Sequence, residues 1–82
     1  MDLNRIDILE QLNKIFVELL DNEEIRIDEK TTQNDVEGWD SLIHIHLVVA
    51  LEKHYKIRFT SKEIQSWTNA GEIINSVLSR LL

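Results

Sequence analysis

The stretch GWDSLIHIHLVVALEKHYKIRF, residues 38–59, sets a long apolar run behind a glycine, a tryptophan and the acid–hydroxyl pair Asp40-Ser41. Residues 41–55 are expected to form a helix. Asp40 is its natural N-cap, because a carboxylate there accepts from the orphan N–H groups of the first turn. On a helical wheel this segment is apolar almost all the way round. Leu42, Leu47, Leu51 and Tyr55 are expected to face a helical core, while Ile43, Ile45, Val49 and Ala50 spread over other directions. A helix apolar on every side is either central to a large protein or meets something else. A chain of 82 residues is too short to make it central, so part of this surface is expected to meet a partner or a bound chain. Ordinary exposure of scattered aliphatics is the plainer alternative.

Ser41, Ile45, Val48 and Glu52 lie at i, i+4, i+7 and i+11, one row along this helix. Ser41 heads the row, at a helix N-terminus whose unpaired N–H groups and macrodipole favour an anion. If Asp40 caps, the serine hydroxyl is left free, and a phosphodiester on it would sit well. The alternative is a serine that merely caps its own helix.

Outward from this segment, the pattern stays helical. Leu3, Ile6, Leu9, Leu12, Ile15, Phe16, Leu19 and Leu20 recur at helical spacing, which predicts an amphipathic helix over residues 3–20 stopped by Asp21-Asn22. Residues 21–40 lack periodicity, with Ile25, Ile27 and Val36 as the expected points of core contact. A loop of this length is uncommon and usually functional or an added element. On the other side, Ile57-Arg58-Phe59 reads as a short extended piece. Thr60 and Glu63 stand at capping-box spacing and open a short third helix through about Trp67. Asn69 and Glu72 repeat the spacing before a stripe of Ala70, Ile73, Ile74, Val77, Leu78 and Leu81. The expected fold is all-α: a four-helix bundle over one domain, residues 1–82, with three longer helices, a short third helix and a long loop between the first two.

Composition narrows the function. A domain this small buries only about 60–65% of its unfolded surface, leaving little room for an enclosed active site. There is no cysteine, and no stretch of about 18 or more apolar residues that would span a membrane. The N-terminus lacks the features of a signal peptide, so a cytoplasmic location is expected. Nine basic residues against fifteen acidic ones give a net charge of −6. A nucleic-acid binder needs a basic patch to neutralise phosphates, and none is visible. Charge is uneven: residues 1–40 hold twelve acids and four bases, whereas residues 41–59 hold Glu52 against Lys53, Lys56 and Arg58.

Gly38-Trp39-Asp40-Ser41-Leu42 resembles the Asp-Ser-Leu attachment motif of acyl carrier proteins, with the Gly-Trp lead-in of many carrier domains. Ala50 to Phe59 is similar to the family's segment ending helix two, residues 60–67 to its short third helix, and Gly71-Glu72-Ile73-Ile74 to the start of its last. The resemblance covers essentially the whole chain. It implies a 4′-phosphopantetheine arm on Ser41, placed there by a separate phosphopantetheinyl transferase that Asp40 helps to dock. The arm's thiol would hold acyl groups as thioesters for acyl-loading and acyl-accepting enzymes, and the protein would be a monomeric carrier, not an enzyme. By position, partner recognition falls to Ile43, His44, Ile45, His46, Val49 and Glu52. Here the sequence departs from the fatty-acid-synthesis type, whose second helix is typically acidic, and a specialised biosynthetic pathway is implied instead. An aminoacyl, peptidyl or D-alanyl carrier is the runner-up, followed by an unmodified helical interaction module.

Two other readings are weaker. Ser41 and His44 lack both a group to orient the imidazole and a Gly-x-Ser-x-Gly elbow, which argues against a hydrolase. His44 and His46 stand two apart on a helix and His54 two turns further, unlike the i, i+4 pair that converges on a metal. Trp39 and Trp67 are expected to anchor the loop and the short helix.

Overall fold

The computed structural model of the protein describes residues 4–81. Its helices are α1 (Arg5–Leu20), α2 (Ser41–Tyr55), α3 (Ser61–Ser66) and α4 (Ala70–Leu81), with one 3₁₀ turn, Gln33–Asp35, in the long loop. The expected four-helix architecture is present, short third helix included; Leu3 of the predicted first stripe lies outside the described residues. Helix α1 is capped by Asn4, whose side chain accepts from the Asp7 N–H at 3.0 Å. It ends where Asp21 turns left-handed at φ 49° and returns its N–H to the Val17 carbonyl.

The core is formed by Ile8, Leu12, Ile15 and Phe16 of α1, Leu47 and Leu51 of α2, and Ala70, Ile73, Ile74 and Val77 of α4, together with Trp39. Ile25, Ile27 and Val36 pack against it from the loop, as their apolar character suggested. Ile6 does not join the stripe expected of it and is exposed. Leu42 is the second correction: it is 62% exposed, not turned to the bundle. At 100° per residue Leu42 stands about 140° from Leu47 and 180° from Leu51, so it shares a face with Ile45 and Val49 instead. Ile43 and Ala50 lie on the core side and are partly buried there, and Val48 is buried as well.

Three devices hold the long loop down. The Asn13 amide clamps it, donating to the Ile25 carbonyl at 3.1 Å and accepting from the Ile27 N–H at 2.8 Å. The carbonyls of Thr31 and Glu29 accept from the Ala70 and Gly71 N–H groups at 2.9 and 2.8 Å, so the loop satisfies orphan donors at the start of α4. Finally, Arg5 forms a forked pair with Glu29 and also donates to the Gly71 carbonyl at 3.2 Å. The Asn69 side chain accepts from the Glu72 N–H at 3.0 Å. Glu72 reaches one residue further back than a reciprocal box requires, taking the Thr68 N–H at 2.6 Å and its hydroxyl.

These contacts make stability sensitive to acid. The hydrogen bond from Arg5 holds the Glu29 carboxyl below its ordinary range, and the Thr68 hydroxyl and N–H do the same for Glu72. A carboxyl with a depressed folded-state pKa adds stability above its unfolded value, about 4.3 for Glu, and that contribution is lost as pH falls through the folded value. Thermal melts should therefore show Tm dropping on the acid side of that point. In the Glu29→Gln/Glu72→Gln double variant the drop should be shallower, and an unchanged pH profile would show that neither carboxyl is coupled to folding.

Candidate functional site

Ser41 is the first residue of α2 and is exposed. The Asp40 side chain caps the helix, its Oδ1 accepting from the Ile43 N–H at 2.9 Å. Among the described residues nothing hydrogen-bonds the Ser41 hydroxyl, and the Ser41 and Leu42 N–H groups have no protein acceptor. A free hydroxyl beside unpaired helix N–H groups suits a phosphodiester: the donors and the dipole both favour the added negative charge.

The approach to Ser41 is shaped by Gly38 and Trp39. Gly38 has φ +93°, a conformation that glycine adopts without steric penalty. A Cβ there would also lie 3.0 Å from a methyl of Leu20. The turn directs Trp39 inward, where its ring is buried and meets Phe16 edge-on at 4.7 Å. The indole N–H donates to His44 Nδ1 at 3.1 Å. An indole nitrogen can only donate, so the imidazole keeps its proton on Nε2, which faces the Ile64 carbonyl at 3.3 Å. The His44 ring lies beside that of Trp39, nearly coplanar with it at 19° and with centroids 6.0 Å apart, and meets Trp67 edge-on at 5.7 Å. Trp67 in turn packs on Phe59 at 5.0 Å and donates to Ser76 Oγ at 2.8 Å. Both tryptophans are anchors, as expected.

The residues named for partner contact therefore divide. Ile45 and Val49 are 59% and 42% exposed, His46 is exposed, and Leu42 adds to the same face. Ile43 is half-buried against the core. His44 has both ring nitrogens engaged inside the domain. Glu52 is half-buried and accepts from the Phe59 N–H at 2.9 Å, which pins the chain after α2. The sequence carried one overlooked signal for His44: it lies five residues after Trp39, a full turn into the helix. Among the described residues no group of three His, Cys, Asp or Glu side chains is placed to hold a metal ion, and no helix is long and apolar enough to cross a membrane.

The family model described as the phosphopantetheine attachment site matches residues 10–77. The acyl carrier protein of Phenylobacterium zucineum (strain HLK1) is 31% identical over 75 residues, covering 92% of this chain and 95% of the relative. That of Caulobacter vibrioides (strain NA1000 / CB15N) is 30% identical over 74 residues, covering 90% and 95%. Among solved structures, the solution structure of holo acyl carrier protein from Geobacter metallireducens superposes with a TM-score of 0.82 at 40% identity, over 89% of this chain and 84% of that one. The chain belongs to the acyl carrier protein family, whose cofactor is a covalently attached 4′-phosphopantetheine. Such proteins are substrates of other enzymes and not catalysts.

Two substitutions test how the site is held. Gly38→Ala should lower stability by about 1–2 kcal/mol, the penalty of a left-handed backbone in an L-residue, measured by urea unfolding. His44→Ala leaves the buried Trp39 N–H without its acceptor and should cost about 1–3 kcal/mol, with a shift in Trp fluorescence. A His44→Ala protein as stable as the parent would mean that the imidazole is not a structural link.

Proposed function

We propose that Ser41 Oγ is the attachment point of the phosphopantetheine arm, placed there from coenzyme A by a separate phosphopantetheinyl transferase. The observation that carries this reading is the hydroxyl itself: exposed, unengaged, and relieved of capping by Asp40. When attached, the arm supplies a thiol that holds an acyl group as a thioester. The chain supplies the rest, namely a rigid helix end that presents the hydroxyl and a surface by which other enzymes recognise it. Asp40 assists transferase docking with the carboxylate oxygen that the cap leaves free.

Partner enzymes that load and accept acyl groups dock along α2. Of the six positions assigned to this surface, Ile45, His46 and Val49 provide direct contact. Ile43, His44 and Glu52 shape it from beneath. Each aliphatic side chain that becomes fully buried contributes about 1.5–3 kcal/mol, so the stripe Leu42, Ile45 and Val49 gives a partner more to gain than its charges do. The scarcity of carboxylates on this face supports a specialised biosynthetic pathway over general fatty-acid synthesis. The protein acts as a cytoplasmic monomer.

Incubation with coenzyme A and a broad-specificity phosphopantetheinyl transferase should add the mass of one phosphopantetheine per chain. Ser41→Ala should gain none while keeping the parent's far-UV circular dichroism, because Asp40 still caps α2. Modification of the Ser41→Ala protein would place the arm elsewhere.

A further inference from the structure

A concave site of about 540 Å³ lies at the end of α2 away from Ser41. Its walls are Val49, Glu52, Lys53 and Lys56 of the helix and its C-cap, with Ile57 and Arg58 just beyond. Two apolar side chains and three cations share the site with one carboxylate, and Glu52 Oε2 already accepts from the Phe59 N–H. The surplus of positive charge stands out in a protein whose net charge is −6. Among the described residues the ion pairs are Arg5–Glu29 and Arg80–Glu63, so Lys53, Lys56 and Arg58 meet no carboxylate at ion-pair distance. Complementing the helix macrodipole accounts for Lys53 in the last turn. It does not account for Arg58, which lies outside the helix, or for the apolar walls.

The site is joined to Ser41 by an exposed track. Ser41, Ile45, Val49 and Lys53 succeed one another at i, i+4, i+8 and i+12, a single ridge of α2. Along the helix axis Lys53 lies about 18 Å from Ser41 and Lys56 about 22 Å, at 1.5 Å per residue. An extended chain advances about 1.2 Å per bond, since a three-bond residue spans 3.3–3.6 Å. By that measure the roughly fourteen bonds from the serine oxygen to the thiol sulfur of the arm span about 17 Å. Four more bonds, from sulfur to the far carboxylate of a four-carbon diacid, bring the reach to about 22 Å. The tether and the cations are matched in length.

We propose that the concavity between Val49 and Arg58 receives the free carboxylate of an acyl group tethered to Ser41, so that this carrier is suited to dicarboxylic acyl cargo. The inference rests on Ser41 as the attachment point. Ile45 and Val49 support the chain along the ridge, Val49 and Ile57 hold the cargo's methylenes, and Lys53, Lys56 and Arg58 pair with its charged tip. A neutral acyl group of the same length finds the apolar contacts only.

The test loads the full chain with succinyl- and, separately, butyryl-coenzyme A through a broad-specificity transferase. Intact mass comes first; failure of both to load would sink the Ser41 reading and this one with it. In ¹H–¹⁵N spectra the succinyl form is expected to shift the amides of Val49, Lys53, Lys56 and Ile57 relative to the butyryl form. The difference should vanish in Lys53→Gln/Lys56→Gln/Arg58→Gln and shrink at high salt. Loading of that triple variant to the same mass separates a lost binding site from a misfolded chain. Identical spectra for the two loaded forms, or a difference that survives in the triple variant, would overturn the proposal. Unloaded protein given free succinate at equal concentration should not change. Equal shifts there would make the site a patch for any free anion and overturn the tethered reading.

Discussion

The indole of Trp39 is the contact on which the arrangement depends. Its ring closes the core against Phe16, and its N–H holds the imidazole of His44. The other imidazole nitrogen faces the Ile64 carbonyl at the end of α3. One side chain thus ties α1, the segment before α2, α2 itself and α3 into a continuous row of rings that runs on through Trp67 to Phe59. A donor-only indole leaves the imidazole one tautomer, so the link is directional as well as packed. Its position two residues before Ser41 explains how an exposed hydroxyl can sit on a rigid mount. The anchor is buried, and the next two residues emerge into solvent.

Burial on α2 is correspondingly divided. The core takes Leu47, Val48 and Leu51 fully and Ile43, Ala50 and Tyr55 in part. Leu42, Ile45 and Val49 remain outside. An 82-residue domain has too little interior to cover a helix that is apolar on every side. The face left over runs from Ser41 to the cations at the helix end and stays open to other molecules.

The long loop carries most of the acidic charge and yet is held by few contacts, each of a different kind. A side-chain amide from α1 replaces a strand partner for Ile25 and Ile27. Two loop carbonyls serve as the N-terminal acceptors of α4. Arg5 draws Glu29 and the Gly71 carbonyl together at the opposite end of α1. None of these is a large energy, but each satisfies a backbone group that would otherwise lack a partner where water is scarce.

The helices and three of their caps are legible in the sequence alone, whereas the Asn4 cap of α1 is not. Asp40, Thr60 and Asn69 each cap within three residues of themselves, and the stripe of α4 repeats every turn. Such signals are local, so spacing alone reveals them. Tertiary structure decided which side of α2 was buried, placing Leu42 outside and Val48 within, because an all-round apolar helix has no intrinsic inner face. It also turned His44 inward, clamped the loop with Asn13 and joined Arg5 to Glu29 and Gly71. Those pairings cross as many as 66 positions of chain, and only the packed geometry brings their partners within reach.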